Sequence, residues 1–152
     1  MAKGSQIQRP QPGLAFSLSC ASGYAVGIVT HDVARIGTLI WIAVPTFGEE
    51  PTVEAVSRIE GWRWCVFFPL TAAIRRKIVT VIDTVSIPQA IESFPVMRGG
   101  STQQGWTKVE FEDGVSRPLG PATDPALTIY QVVNDTRLRE MIDSNWRPEA
   151  EW

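Results

Sequence analysis

The chain has 152 residues, of which 44% are hydrophobic and 20% are charged, and this composition is typical of a single globular domain. Its 14 basic and 16 acidic residues leave a net charge of −2. Because binding along the phosphate backbone of a nucleic acid needs a surplus of basic residues, this balance argues against a nucleic-acid partner.

The N-terminal segment 1–13 is polar, contains Pro10 and Pro12, and is predicted to be a flexible leader in front of a single β-rich domain, 14–152. It lacks the apolar segment of a secretory signal. The longest apolar run, 39–44, is far shorter than the ~20 residues that cross a bilayer as a helix. We therefore expect a cytoplasmic protein without membrane contact.

Segments with β-strand character follow the leader and are separated by turn residues. In 14–18 and 24–30 large apolar residues alternate with small ones at period two, which predicts a hairpin. Gly27, inside the second segment, predicts a bulge or a close approach of another group to the backbone. The apolar run 38–44 is typical of a strand covered on both faces of its sheet. Further strands are predicted at 62–68, 77–85, 106–111 and 127–133.

Two short helices are predicted among the strands. In 52–59 an apolar residue recurs every three positions after Thr52, and threonine is a good N-cap. The second helix begins with Asp135 as its predicted N-cap. Segment 72–76 allows at most one more turn of helix, and 117–125, with three prolines, is predicted to be an irregular loop.

The order of these elements indicates the fold class. Strands rarely alternate with helices, which argues against a doubly wound parallel sheet. The sequence predicts a β-rich α+β fold, built as a strongly bent antiparallel sheet or a partly open barrel with two short helices.

Side chains suited to catalysis are scarce. Cys20, Cys65 and His31 are the only residues of their types and are too few for the ligand set of a zinc site, so we expect no metal and no cofactor. Both cysteines lie in apolar runs, where a reduced and buried thiol is the expected state. Cys20 and His31 stand one hairpin apart and form one candidate pair of nucleophile and base, although no nucleophile motif surrounds the cysteine.

The six tryptophans are the unusual feature of the sequence. Trp41, within its apolar run, is predicted to lie in the core. Trp62 and Trp64 share one face by strand periodicity, and Trp106 begins an amphipathic strand. Aromatic side chains bury a large area at little entropic cost, so an exposed tryptophan often anchors an interface. Core packing explains most of the six, and one or two are candidates for a surface role.

Several segments occur in a familiar order. The hairpin at 13–29, with a glycine inside its second strand, comes first. The strand 77–85 is followed by Phe-Pro-Val-Met-Arg at 94–98, and Trp106 and a strand-plus-helix at 127–142 come last. This order resembles that of immunity protein family 26, which consists of small bacterial proteins associated with polymorphic toxin systems.

The resemblance implies a β-rich domain that binds and neutralises a cognate toxin protein without catalysis. A specific interface buries about 800 Å² per partner around a few aromatic or arginine anchors. The candidate partner-binding residues are Trp62, Arg98 and Trp106, joined by Glu49 and Glu50 if the toxin is basic. Two other functions stay open: a small-molecule or peptide binder with a barrel mouth lined by tryptophans, and a small enzyme that depends on a cysteine and a histidine.

Overall fold

A computed structural model describes residues 10–152, which form nine β-strands and three α-helices. The strands are β1 (Leu14–Cys20), β2 (Gly23–Val33), β3 (Gly37–Phe47), β4 (Trp62–Phe68), β5 (Val79–Thr84), β6 (Met97–Ser101), β7 (Gly105–Glu112), β8 (Val115–Pro121) and β9 (Thr128–Ile129). The helices are α1 (Val53–Ser57), α2 (Leu70–Arg75) and α3 (Asp135–Asp143), and short 3₁₀ turns cover Gln89–Ile91 and Pro148–Glu151.

The strands form two sheets. Sheet A has five strands in the order β4-β3-β2-β1-β5, and sheet B has four in the order β8-β7-β6-β9. The strand pairs are antiparallel except for β6 with β9. The predicted β-rich α+β class is confirmed. The strands of residues 10–152 divide into two sheets rather than one, and they close no barrel, because the edges β4 and β5 of sheet A do not pair with each other.

One face of sheet A carries the main core. Strand alternation directs Leu14, Phe16 and Leu18 of β1 to this face, and all three are fully buried. The rings of Phe16 and Phe68 stack there with centroids 6.4 Å apart. The buried residues of α2 and α3 close this core from above. Each such large apolar side chain stabilises the fold by roughly 1.5–3 kcal/mol.

The opposite face of sheet A is covered in two parts. Sheet B packs over one part, where Leu39 and Phe67 meet Met97 of β6. Helix α1 covers the other part, and Val56 is the only residue of this helix that is buried. Because sheet A is covered on both sides, β3 places apolar residues on both of its faces, as the run 38–44 predicted.

Two predictions in the C-terminal part, one of a loop and one of a strand, need correction. Segment 117–125 is not simply an irregular loop, because β8 extends to Pro121 and pairs with β7. Proline is tolerated there since β8 is the edge of sheet B and needs no donors on its outer side. The predicted strand 127–133 is reduced to the two residues of β9 and an isolated parallel bridge between Phe67 and Val132.

Both predicted helices are present, and α2 is the additional turn of helix. Thr52 is confirmed as an N-cap, because its Oγ1 accepts a hydrogen bond from the Ala55 amide at 3.2 Å. Helix α3 is capped by Asn134 rather than Asp135. The Asn134 side chain accepts a hydrogen bond from the Arg137 amide at 2.8 Å, and Asp135 is the first helical residue, where a negative charge favours the helix dipole.

Residues 1–9 of the predicted leader lie outside the described residues. Its last residue, Gly13, belongs to the fold. Gly13 donates a hydrogen bond to the Val29 carbonyl and accepts one from the Val85 amide, both at 2.8 Å.

Gly27 has no room for a side chain. The ladder between β2 and β3 shifts register between Ala25 and Gly27, and a Cβ on Gly27 would lie 2.3 Å from the Phe16 ring, so both features predicted for this glycine are confirmed. We expect Gly27→Ala to lower the free energy of unfolding by about 1–3 kcal/mol, because the ring must leave its place in the main core. Gly99→Ala is the matched control, since its Cβ would meet nothing nearer than 3.7 Å. Equal urea midpoints for the two variants would contradict this account of the packing.

Candidate functional site

Arg98 lies at the junction between β6 and the C-terminal segment, and its side chain is 0% exposed. Its Nη1 donates to the Glu151 carbonyl at 3.1 Å, and its Nη2 donates to the carbonyls of Pro125, at 3.3 Å, and Pro148. A side chain so enclosed does not reach a partner. Arg98 is therefore corrected from a partner anchor to a structural clamp on the C-terminal segment.

Trp106 packs on this clamp. The Arg98 guanidinium carbon lies 3.9 Å from the centroid of the Trp106 ring and 5.3 Å from that of Trp152. Burial lowers the pKa of Arg98, and the nearby carboxylates of Glu151 and Glu149 act in the opposite direction. An arginine stays protonated under these conditions, so the charge is stabilised by the two indole faces and the carbonyls. Trp106 is half-buried by this stacking, and only part of its ring is accessible to a partner.

Trp62 lies on the side of sheet A that α1 covers. A register shift in the ladder between β3 and β4 falls between Ile42 and Ala43, opposite the start of β4. Trp62 consequently packs under α1, whereas Trp64 packs in the main core. The prediction that the two tryptophans share one face is wrong, because a register irregularity breaks the simple alternation of the strand.

Glu50 reaches over the same part of sheet A. Its Oε1 accepts a hydrogen bond from the Ser17 hydroxyl at 2.6 Å, and Ser17 shares the face of Ala15, which lies under α1. Glu49 stands next to it and is exposed. The structure therefore brings Trp62 and the acidic pair, which are distant in sequence, to one side of the molecule.

We call this surface the α1 face. Two cavities of about 400 and 420 Å³ flank the helix, because five helical residues are too few to cover the sheet beneath them. Its apolar floor consists of partly buried side chains: Phe47, Ile59, Trp62, Ile82 and Val85. Its exposed charged rim consists of Glu49, Glu50, Glu54, Arg58 and Glu60. Ile82 and Val85 carried only the signals of ordinary strand residues, and Phe47 lay beyond the predicted strand 38–44, so nothing local marked the three as part of a surface.

The candidate nucleophile and base do not meet. Cys20 pairs with Gly23 at one end of β2, and His31 lies eight residues further along, which is about 26 Å for an extended strand. Both cysteines are free, with Cys65 buried and Cys20 half-buried. Burial raises the pKa of Cys20 to about 11 and that of Cys65 to about 12, and burial lowers the pKa of His31. The structure does not form the hypothesised Cys20–His31 pair.

Residues 10–152 provide neither a metal-binding cluster nor a membrane-spanning helix. No three or more His, Cys, Asp and Glu side chains in this range gather closely enough to hold a metal ion. None of its helices combines the length and hydropathy required to span a membrane. The chain matches no protein-family model, no curated protein and no solved structure. The α1 face and its surroundings are therefore the features of the structure that bear on function.

The clamp formed by Arg98 predicts a large loss of stability. Arg98→Met keeps the apolar stem but leaves three carbonyls without their donor, and we expect the free energy of unfolding to fall by about 3 kcal/mol or more. Arg117→Met is the control, because Arg117 is exposed and surface ion pairs contribute less than about 1 kcal/mol. Urea unfolding and hydrogen exchange at residues 145–151 measure the effect. A variant at Arg98 as stable as the control would contradict the clamp.

The buried thiols predict a pH-dependent reactivity. Because the pKa of each cysteine is raised, the reactive thiolate is a very small fraction near about pH 8. We expect a thiol reagent to modify the native protein far more slowly than the urea-unfolded chain, with the rate at Cys20 rising as the pH approaches 11. A Cys65→Ser variant isolates Cys20. Native labelling at the unfolded rate would show that the thiols are not held as described.

Proposed function

We propose that this protein is a non-catalytic binding protein, specifically an immunity protein that neutralises a cognate bacterial toxin by direct protein–protein contact through the α1 face. The observation that carries the proposal is the combination of an apolar floor that α1 covers incompletely with a rim of exposed carboxylates. The resemblance of the segment order to immunity protein family 26 supplies the kind of partner.

The apolar floor provides the surface area that a partner would bury on binding. The main core on the other face of sheet A is closed by α2 and α3, but α1 contributes one buried residue, Val56. Partly exposed apolar area of this kind, with a polar rim, is typical of an interaction surface. Removing it from water contributes about 25 cal/mol per Å² of area buried. Trp62 is the aromatic anchor in this floor.

The charge of the rim indicates which charge a complementary partner carries. Residues 49–60 contain four glutamates and one arginine, whereas the whole chain has a net charge of only −2. The negative charge is thus concentrated beside the apolar floor. A field of one sign accelerates association with a partner of the opposite sign and fixes its orientation. The α1 face therefore suits a toxin with a basic surface patch, and the toxin would be held where its active site or substrate path is occluded.

The proposed partner is a protein rather than a nucleic acid or a membrane, and the proposed place of action is the cytoplasm. Two free cysteines agree with a reducing compartment. The proposal assigns no catalytic residue. The alternative function, a small-molecule or peptide binder, is favoured by a cavity beside β4 that four tryptophans line.

The toxin encoded by the adjacent open reading frame provides the direct test. We expect the two proteins to co-purify after co-expression, and we expect growth arrest by the toxin to be relieved. An unrelated toxin expressed with the same chain is the control for specificity. If the neighbouring protein neither binds nor is silenced, the proposed function is overturned.

The contribution of the acidic rim can be tested by charge reversal. Glu49→Lys with Glu60→Lys is expected to slow association with that toxin by about ten-fold or more at low salt, because the steering field is removed. Glu112→Lys with Glu140→Lys changes the net charge equally on exposed residues of β7 and α3 and is the matched control. Association rates from surface plasmon resonance at several salt concentrations compare them. Equal slowing in both variants would mean that net charge matters and the α1 face does not.

A further inference from the structure

A second feature lies where the edge of sheet A meets the segment that follows α3. A cavity of about 400 Å³ opens there, a size in the range of small-ligand sites. Its aromatic lining comprises four of the six tryptophans: Trp41, Trp62, Trp64 and Trp146. Its charged and amide side chains are Arg63, Asn145, Arg147 and Glu149.

The end of α3 builds one wall of this tryptophan cavity. Asn145 has a left-handed φ of 55° and donates its amide hydrogen to the Ile142 carbonyl, and the Trp146 amide donates to the Met141 carbonyl. These two bonds form a Schellman motif, in which asparagine is an accepted substitute for glycine. The motif turns Trp146 back onto the sheet, where its ring lies nearly perpendicular to that of Trp64 with the centroids 5.3 Å apart.

Three of the lining indoles have an N–H group without an acceptor. The Nε1 atoms of Trp41, Trp62 and Trp64 are buried and make no hydrogen bond within residues 10–152, whereas Nε1 of Trp146 donates to Glu151 at 2.8 Å. Leaving a buried donor unsatisfied costs about 1–3 kcal/mol, so three at one cavity call for an explanation. An indole nitrogen only donates, so the missing group is an acceptor. The three nitrogens are shielded in the free protein, so the rings would have to turn before an acceptor could reach them.

The charges in the wall favour an anion. Two arginines, Arg63 and Arg147, stand with one glutamate, Glu149. Neither arginine forms an ion pair within the part of the chain that the structure describes. The Arg63 guanidinium donates only to backbone carbonyls, which leaves its positive charge without a neutralising carboxylate. Arg147 is exposed at the cavity and available to a carboxylate from solution.

We propose that the tryptophan cavity binds a small aromatic carboxylate, either a free acid or the C-terminal aromatic residue of a peptide. The ring of the ligand packs against the indole faces, and the carboxylate accepts hydrogen bonds from the indole N–H groups and from an arginine. The cavity shares Trp62 with the floor of the α1 face, but none of its other lining residues belongs to that face, so binding of a small ligand here is a function beyond the proposed toxin binding.

Two carboxylates that share a phenyl ring test the proposal and separate the two sources. Phenylacetate represents the free acid, and N-acetyl-Gly-Gly-Phe represents the peptide terminus. Phenylacetamide and phenethylamine carry the same ring with a neutral and a cationic group. Each compound is titrated into the full chain, with calorimetry and intrinsic tryptophan fluorescence as readouts. We expect saturable binding of at least one carboxylate and affinities about ten-fold or more lower for the amide and the amine.

Substitutions locate the binding. Trp41→Phe keeps an aromatic ring and removes one unpartnered N–H, and Arg147→Gln removes an exposed charge. Each is expected to weaken carboxylate binding by about five-fold or more. Trp106→Phe is the matched control, since its indole N–H is also unpartnered but lies outside the cavity. Thermal melting verifies that each variant is folded. The proposal is overturned if no carboxylate binds saturably, if the amide or amine binds equally well, or if both cavity variants bind like the wild type.

Discussion

The buried guanidinium of Arg98 is the constraint on which the arrangement of the C-terminal third depends. A charge enclosed this completely costs several kcal/mol unless it is solvated by the protein, and here three carbonyls and two indole faces take the place of water. Two of those carbonyls, from Pro148 and Glu151, belong to the segment that follows α3. The clamp therefore ties β6 of sheet B to the end of the chain. It also holds residues 145–149 as a wall beside sheet A.

The two faces of sheet A are buried to different extents. One face accounts for most of the stability, and the other carries the proposed binding surface. The face under α2 and α3 holds the main core and needs no partner. The cluster between the other face and α1 has only four buried residues, one of them Val56 of the helix, and it relies on side chains that are only partly covered. Since the main core and sheet B already stabilise the sheet, the α1 face is free to carry charge and incomplete packing. A binding surface at this position therefore uses none of the residues that form the main core.

Local signals predicted much of the fold, and non-local contacts account for what they missed. The first hairpin, Gly27, the covered strand β3 and the Thr52 cap each follow from a few neighbouring residues, and each is confirmed. The division into two sheets depends on which distant strands pair, which no period or turn residue encodes. The strand β8 was missed because its prolines are acceptable only at an edge, and edges are defined by the whole sheet.

The same distinction applies to the candidate sites. Glu49, Glu50 and Trp62 were predicted as residue types suited to an interface. Arg98 was misassigned because an arginine in a strand gives no sign that it will be enclosed by a segment 50 residues away. Trp41 was expected in the core, yet it is partly exposed and lines a cavity whose opposite wall comes from beyond α3. Natural sequences satisfy local rules almost everywhere, so the exceptions carry information. Unpartnered indole donors on three residues that line one cavity are such an exception, and they support the proposal of a ligand that accepts hydrogen bonds.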